Sequence, residues 1–283
     1  MTVLLGAVAY DPKVVTIWFG FRDWLRGQGL DFDVVLYSNY ERQAEDLVAG
    51  RIDVAWNSPL AWLRCKRLAA EHGRTVSPLL MRDTDQDLTS VFVVRADSPY
   101  RTVADLKGAR VALGAIDSPQ ATLIPLATLA EVGLLAGRDV TVERFDVGVG
   151  LHGDHIGGER DAVHALLGGR ADAAAIIDAN HLAFGRDGTI PAGSIRIIGQ
   201  TTAFDHCNLT VIDTASAAEI EKLRELLLSM SYEDETVRHL LELEGLTRWV
   251  SGRASGYAVL NDAVDLVGFY DAAGNVTMAG YRP

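Results

Sequence analysis

The feature that most constrains this 283-residue chain is a repeated alternation of short apolar strands with amphipathic helices. Residues 3–9 read as a buried strand, and apolar side chains then recur every three or four positions through 14–25, as on one face of a helix. Residues 33–37 return to a strand. Strands that are separated by helices pair in parallel, so the alternation predicts an α/β fold of open, mostly parallel sheets flanked by helices.

A nine-residue pattern occurs twice in the chain. Residues 47–55 read LVAGRIDVA, and residues 166–174 read LLGGRADAA. Each copy combines a helix end, a glycine stop, an arginine and an aspartate that precedes a buried strand. The alternative explanation is that both copies are a common type of turn between a helix and a strand, without a relationship between the two segments. We interpret the two copies as the same turn in two similarly wound lobes.

The length of the chain allows two lobes that each bury their own core. Segments near 89–95 and 196–203 read as two strands that cross between the lobes. A helical run at 217–230 follows the second crossing and can pack back onto the first lobe. We therefore predict a discontinuous first lobe of residues 1–90 plus 202–283 and an inserted second lobe of residues 91–201.

Composition and charge exclude several classes of protein. Hydrophobic residues make up 48% of the chain and charged residues 23%, as in soluble folded proteins, and no stretch approaches the roughly 18 apolar residues of a spanning helix. We expect no membrane insertion. The net charge of −12 argues against nucleic acid as a partner, because phosphate backbones are bound by basic surfaces. A small anion remains compatible, since helix N-termini can hold one locally.

Cysteine content and the first residues bear on the cellular compartment. Cys65 and Cys207 are too few for a disulfide framework and have no metal-binding spacing. The chain runs from Met1 straight into a strand, without a basic leader or a cleavage site. We therefore expect a cytoplasmic protein as the sequence stands, and a periplasmic or extracytoplasmic one if a leader has been removed.

Several stretches, taken in order, resemble a known family. The turn YDP at 10–12, AGRIDVAWNSPLAWL at 49–63 and TSVFVVRADSPYRTVADLKGARVALG at 89–114 are similar to the phosphate, phosphite and phosphonate branch of ABC-transporter substrate-binding proteins. Residues 151–178 resemble the family segment in which a Gly-X-His sequence precedes a helix and a strand. The resemblance covers about residues 3–215. It implies a type 2 periplasmic-binding-protein fold, two lobes that close on a small anionic or zwitterionic ligand, and an ABC permease as partner if the protein is exported.

The chain departs from this family at residues 118–122. Members that hold phosphonate usually carry a Ser-Thr-Ser-Gly-like cluster at this helix start. Here Ser118 and Thr122 keep their hydroxyls, but Pro119 and Gln120 interrupt the series. A cradle of amides and hydroxyls has to converge on one oxyanion. We therefore expect an anionic or zwitterionic solute without narrowing it to phosphonate.

Polar residues follow two predicted strands of the first lobe, where loops of this fold class contact ligands. Tyr10 and Asp11 follow the first strand, and Asn57 and Ser58 follow the third. A plain Asp-Pro turn and a capped helix start are the alternative explanations. We predict that these four residues contact the ligand, because a capped helix start that faces a cleft is also an anion site.

The second lobe offers hydroxyls and a carboxylate at corresponding places. Ser118 and Thr122 lie at a predicted helix start, where backbone N–H groups point outward. Thr89 and Ser90 lie at the crossover between lobes, and Asp178 follows an alanine-rich strand. These residues could equally well cap a helix or form hydrogen bonds with backbone groups at the ends of strands. We include all five among the predicted ligand contacts.

The densest polar cluster is the glycine-rich sequence HGDHIGGE at 152–159. The family resemblance implies that His152 and His155 donate hydrogen bonds to the ligand. A metal site that uses His152, His155 and Glu159 is an alternative, because these are ligands of zinc or iron. A polar surface loop is another. The spacing matches no recognised metal signature, and we expect no cofactor.

A second polar group, which includes His206 and Cys207, lies where the chain returns to the first lobe. Adjacent residues of a strand point to opposite faces, so we expect Cys207 to be buried and not to pair with His206. His206, His152 and His155 are candidate acids or bases for catalysis. Motifs of the common hydrolase, P-loop, dinucleotide and zinc-protease families do not occur.

Two functions remain open at this point. The leading hypothesis is a binding protein that closes on a small solute between two lobes and delivers, senses or sequesters it. The alternative is a cytoplasmic enzyme on the same fold, a lyase or a cofactor-biosynthesis enzyme, that uses cleft histidines as acid, base or metal ligands. Whether the chain is an enzyme is not decided by the sequence.

Overall fold

The structure, a computed structural model, describes residues 1–152 and 156–282. The strands, in chain order, are β1 (Val3–Val8), β2 (Phe32–Tyr37), β3 (Val54–Asn57), β4 (Val76–Arg82), β5 (Ser90–Arg95), β6 (Arg110–Leu113), β7 (Thr141–Arg144), β8 (Ala173–Ile177), β9 (Ile195–Gln200), β10 (Asn208–Ile212) and β11 (Trp249–Ser251). The α-helices are α1 (Pro12–Gly27), α2 (Tyr40–Val48), α3 (Pro59–Glu71), α4 (Ile124–Glu131), α5 (Ile156–Leu167), α6 (Asp178–Asp187), α7 (Ala217–Ser229), α8 (Glu235–Glu244) and α9 (Ala258–Val267). Shorter turns are the 3₁₀ segments Val103–Leu106 and Ser255–Tyr257 and a π-helical turn, Pro119–Leu123.

The strands divide between two sheets, which confirms the predicted two-lobed α/β fold. The first sheet has the order β11-β4-β10-β3-β1-β2, and the second has the order β7-β6-β8-β5-β9. Each sheet has three parallel strands at one end, β2-β1-β3 in the first and β7-β6-β8 in the second. The remaining strands run antiparallel to their neighbours, so both sheets are mixed. The lobe boundaries proposed from the sequence fall at the start of β5 and just after β9.

The repeated nine-residue pattern forms the same turn in both sheets. The glycine after α2 and the glycine that closes α5 have φ values of +69° and +74°, which glycine adopts without steric cost. Asp53 Oδ2 then accepts from the Leu4 N–H at 2.9 Å, and the Asp53 N–H donates to the Leu4 carbonyl at 2.9 Å. Asp172 makes the same two bonds to Arg110, each at 2.8 Å. Both aspartates therefore fix the start of the first parallel strand of their sheet.

Apolar clusters cover the sheets, and one cluster joins the lobes. Trp18 and Phe21 of α1 pack with Trp249 of β11 in the core of the first sheet. A separate cluster contains Trp62 of α3, Ile124 of α4 and Leu260 of α9, together with other buried residues. The C-terminal helix α9 thus packs on both lobes. No helix in residues 1–152 or 156–282 has the length and apolar character needed to cross a membrane.

Candidate functional site

A cavity of about 130 Å³ lies where the two lobes meet. Most of its lining comes from the first lobe, and two residues come from the segment between β7 and α5. The lining residues are Tyr10, Lys13, Tyr40, Trp56, Ser58, Arg82, Leu151, His152, His206 and Cys207. A more open part of the cleft shares Lys13, Arg82 and His206 with this cavity and reaches Gln120 and Asn180 of the second lobe.

The cavity lies at the carboxyl ends of β1 and β3, where two helices begin. Because these strands are parallel neighbours, the loops that follow them meet at the same edge. Asp11 caps α1 by accepting from the Lys13 N–H at 2.8 Å, and Ser58 caps α3 by accepting from the Ala61 N–H at 3.1 Å. The partial positive charge of two helix N-termini is therefore close to the cavity.

Lys13 and Arg82 are the cationic side chains of the lining. The Lys13 ammonium group has no carboxylate partner within residues 1–152 and 156–282. Arg82, in contrast, donates from Nε and Nη2 to the two carboxylate oxygens of Asp85 at 2.6 and 2.8 Å, and from Nη1 to the Glu244 carbonyl at 2.9 Å. Among the described residues, Lys13 is therefore the cation of the cavity that is not paired with a carboxylate and can attract an anion.

Asp85, His206 and Cys207 form a compact group in the wall of the cleft. His206 Nδ1 lies 3.6 Å from Asp85 Oδ1 and 3.2 Å from Cys207 Sγ. Burial alone would raise the pKa of Asp85, but Arg82 and His206 together lower this pKa to about 2. Asp85 is consequently a carboxylate at neutral pH.

The expectation that His206 and Cys207 do not pair is wrong. It assumed that both residues lie in a strand, whereas β10 begins only at Asn208. In the loop before β10, successive side chains need not point to opposite faces, and Sγ approaches the imidazole to 3.2 Å. Cys207 also lines the cavity, where it is 9% exposed.

His152 reaches from the second lobe into the first. It is fully buried and has a φ of +53°, which is uncommon for a residue other than glycine. Its Nδ1 lies 3.2 Å from Ser58 Oγ, and its Nε2 contacts the Tyr281 hydroxyl and lies 3.1 Å from Glu41 Oε1. The ring stacks on Tyr40 at 5.0 Å between centroids. All four partners lie outside the segment that forms the second sheet.

Glu41 is the buried acid of this contact between lobes. Burial acts to raise its pKa, but the hydrogen bond and charge of His152 and the hydrogen bond from Tyr281 outweigh burial and lower the pKa below its usual value. The Tyr281 hydroxyl donates to Glu41 Oε1 at 2.9 Å. A carboxylate, an imidazole and a phenol thus form one buried network that includes residues from both lobes.

Several predicted contacts lie outside the cavity lining and make hydrogen bonds within the protein. Asn57 is fully buried, and its amide donates to Thr210 Oγ1 at 2.8 Å. The Ser90 hydroxyl donates to the Gln120 carbonyl at 2.6 Å. Ser118 Oγ accepts a backbone N–H at 3.1 Å and caps the π-helical turn. These bonds give the three side chains structural roles.

Thr122 and Asp178 lie on the second lobe, and Thr89 lies at the crossing just before β5. Thr89 Oγ1 donates to Asp178 Oδ2 at 3.2 Å, next to the start of α6. Thr122 Oγ1 is buried and has no hydrogen-bond partner in the part of the chain that the structure describes. None of these three residues is among those that line the cavity.

The residues of the predicted metal set face different partners. Both ring nitrogens of His152 contact first-lobe side chains, Ser58 on one edge and Tyr281 on the other. Glu159 is fully buried and accepts from the Ile177 N–H at 2.8 Å. His155 lies outside the described residues. His152 therefore joins the lobes, whereas Glu159 accepts hydrogen bonds within the second lobe, and the two residues are not arranged around one metal ion.

Sequence reasoning did not single out Lys13, Tyr40, Arg82 or Asp85. Lys13 carries a usable signal, because it stands in the first turn of a helix that begins at the carboxyl end of a strand. Arg82 and Asp85 lie at the end of β4, an antiparallel strand that the alternation pattern does not predict. Their approach to His206 depends on the pairing of β4 with β10, which is remote in sequence.

Comparison with known proteins gives one family and several similar structures. Residues 7–257 match a family model described as ABC transporter, phosphonate, periplasmic substrate-binding protein. PhnD1 from Prochlorococcus marinus, in complex with methylphosphonate, is 14% identical with a TM-score of 0.66, over 94% of this chain and 98% of that one. XAC2383 from Xanthomonas citri, bound to chloride, is 20% identical with a TM-score of 0.68, and the match covers 94% of this chain and 99% of that one. A binding-protein component of an ABC phosphonate transporter from Pseudomonas aeruginosa is 12% identical with a TM-score of 0.60, and the match covers 99% of this chain and 90% of that one.

Proposed function

Since the chain belongs to the family of phosphonate substrate-binding proteins of ABC transporters, we propose that it binds a small oxyanion in the cavity between its lobes. Family membership confirms the leading hypothesis of a solute-binding protein. It gives no support to the alternative of a lyase or a cofactor-biosynthesis enzyme.

The observation that carries the proposal is the position of Lys13. Its ammonium group lines the cavity without a carboxylate partner in the described part of the chain, and the N-termini of α1 and α3 flank the same space. A cation and two helix N-termini that converge on one cavity favour an anion there. Among the residues predicted from sequence, Tyr10, Ser58 and His152 line this cavity and are the proposed contacts beside Lys13 and His206.

The size of the cavity favours a small ligand. Its volume of about 130 Å³ is well below the roughly 300–1,000 Å³ of pockets that hold drug-sized ligands. A phosphonate or phosphate group with a short substituent belongs to the smaller class of ligand. PhnD1, which has the same fold, holds methylphosphonate.

We also propose where the protein meets its ligand and its partner. The family is described as periplasmic and as part of ABC transporters, which favours a position outside the cytoplasmic membrane and delivery to a permease. Fractionation of the native organism tests the position. Recovery of the protein only in the cytoplasmic fraction would contradict it.

Isothermal titration with methylphosphonate, inorganic phosphate and methanesulfonate tests the ligand class. Lys13→Met removes the charge and keeps the length of the side chain. Because a hydrogen bond to a charged group contributes about 1.5–3 kcal/mol, we expect affinity for the bound anion to fall roughly 10- to 100-fold. Lys107→Met is the control, since Lys107 is exposed and remote from the cavity lining.

Two results would contradict the proposal. Equal affinities of the Lys13→Met variant and the wild type would remove Lys13 from the site. Binding of none of these anions by the wild type would reject the ligand class. Recovery of a chemically changed ligand after incubation would instead revive the enzyme alternative.

A further inference from the structure

We propose that Asp85, His206 and Cys207 form a binding site for a thiophilic divalent metal ion of the zinc class. The carboxylate, imidazole and sulfur atoms that would bind the ion all lie within 4.8 Å of one another. The imidazole Nδ1 is 3.2 Å from the sulfur and 3.6 Å from the carboxylate. Tetrahedral zinc bonds of about 2.3 Å to sulfur and about 2.0–2.2 Å to nitrogen and oxygen place neighbouring ligand atoms roughly 3.4–3.6 Å apart. The nitrogen–sulfur and nitrogen–oxygen separations therefore need little adjustment to bind one ion.

The backbone holds these residues together independently of their side chains. The His206 N–H donates to the Asp85 carbonyl at 2.8 Å, and the His206 carbonyl accepts from the Tyr257 hydroxyl at 2.7 Å. Cys207 directly precedes β10. A site whose ligands are fixed by surrounding hydrogen bonds loses less freedom when the ion binds.

Arg82 orients the carboxylate without using up its binding capacity. Its two hydrogen bonds to Asp85, at 2.6 and 2.8 Å, engage one lone pair on each oxygen. A carboxylate has about four such acceptor positions, so Oδ1 can still bind an ion on the side that faces His206. Metal-binding carboxylates are commonly held by hydrogen bonds of this kind.

Beside the cavity that Lys13 lines, the charges of Arg82 and its two acidic partners favour a cation at Asp85 itself. Arg82 is paired with two acids, Asp85 and Glu244, which leaves one negative charge in excess when Cys207 is a neutral thiol. A divalent ion that binds the Cys207 thiolate releases one proton to solvent and brings the sum of these charges to zero.

His206 and Cys207 also line the cavity, so the ion would have an open coordination position on that side. Three protein ligands with a fourth position left to water or to a small molecule are typical of open zinc sites. The proposal does not depend on the oxyanion, because the metal can be measured in its absence.

Titration of the thiol-reduced, chelator-treated protein with Co²⁺ tests the site. We expect about one equivalent to bind, with thiolate-to-cobalt charge-transfer absorption and the visible bands of four-coordinate cobalt, and we expect Zn²⁺ to displace it. Cys207→Ser should abolish the charge-transfer absorption. Cys65→Ser should keep it, because Cys65 is fully buried elsewhere, beside Asn57.

Absence of the charge-transfer absorption in the wild type at saturating Co²⁺ would overturn the proposal. The same absorption in Cys207→Ser would also overturn it, and circular dichroism verifies that this variant is folded. Titration of the chelator-treated protein with methylphosphonate is read separately. The two proposed sites share His206, but the cobalt absorption and the anion titration of metal-free protein are separate readouts, so failure of one site is distinguishable from failure of the other.

Discussion

At the scale of single residues, His152 stabilises the contact between the lobes through buried polar interactions. The imidazole is the partner of a buried carboxylate, Glu41, and of a helix cap, Ser58. Removing a hydrogen-bond partner from a buried polar group costs about 1–3 kcal/mol, and more when the group left behind is charged, as the Glu41 carboxylate is. We therefore expect His152→Ala to lower the free energy of unfolding by roughly 3 kcal/mol at neutral pH, measured by urea denaturation.

The pH dependence gives this prediction a second readout. The pKa of Glu41 is lowered in the folded protein, so its stabilising contribution is present above the ordinary value of 4.5 and is lost as the pH falls through the lowered value. The difference between wild type and His152→Ala should therefore shrink below about pH 4.5. His164→Ala is the control, because the His164 side chain is 54% exposed. Equal stability of the two variants would contradict the role of His152.

Local sequence pattern locates some of these residues and misses others. Tyr10 and Ser58 follow parallel strands, and such positions meet at one edge of the sheet, so the pattern alone points to them. Asn57 lies beside Ser58, but it is the last residue of β3 and is buried in hydrogen bonds within the fold. The pairing of Cys207 with His206 was missed because the rule that adjacent side chains of a strand alternate was applied to two residues that precede β10, which begins at Asn208.

At the scale of elements, helix α5 holds the segment that carries His152 against the second sheet. Gly158 lies in its first turn, where a Cβ would come within 2.5 Å of the Phe145 carbonyl oxygen. We expect Gly158→Ala to destabilise the protein by about 1–3 kcal/mol, because backbone on the facing segment would have to move.

Gly185 supplies the matched control for this substitution. It lies within α6, and a Cβ there meets no atom within 4 Å. Gly185→Ala should stabilise the protein by roughly 0.5–1 kcal/mol through helix propensity. Urea denaturation gives the free energy of unfolding of both variants. A Gly158→Ala variant as stable as the wild type would contradict the close approach of α5 to the Phe145 carbonyl.

Strand and helix order follows from the sequence where contacts are local. The alternation of apolar strands and helices indicates the parallel strands at one end of each sheet, and the repeated glycine–aspartate turn marks equivalent places in both. β4 and β10 are harder to place, because they pair antiparallel with each other across more than a hundred residues. Hydrophobic periodicity contains no information on such pairing, so the Arg82–Asp85–His206 group is found only in the folded chain.

At the scale of the whole molecule, two lobes enclose one cavity, and the C-terminal part of the chain contacts both. The α9 helix belongs to an apolar cluster that includes α4 of the second lobe, and Tyr281 hydrogen-bonds with His152 and Glu41. Closure in this fold is a hinge motion that brings such contacts together around a ligand. The buried His152 network joins residues of both lobes in the arrangement observed.

A crystal structure of the protein with methylphosphonate tests the account most directly. We predict the phosphonate oxygens within hydrogen-bonding distance of Lys13 Nζ and Ser58, with His152 still seated between the lobes. Density for the phosphonate at Ser118 and Thr122 instead, with Lys13 exposed to solvent and free of it, would contradict the claim that this cavity is the anion site.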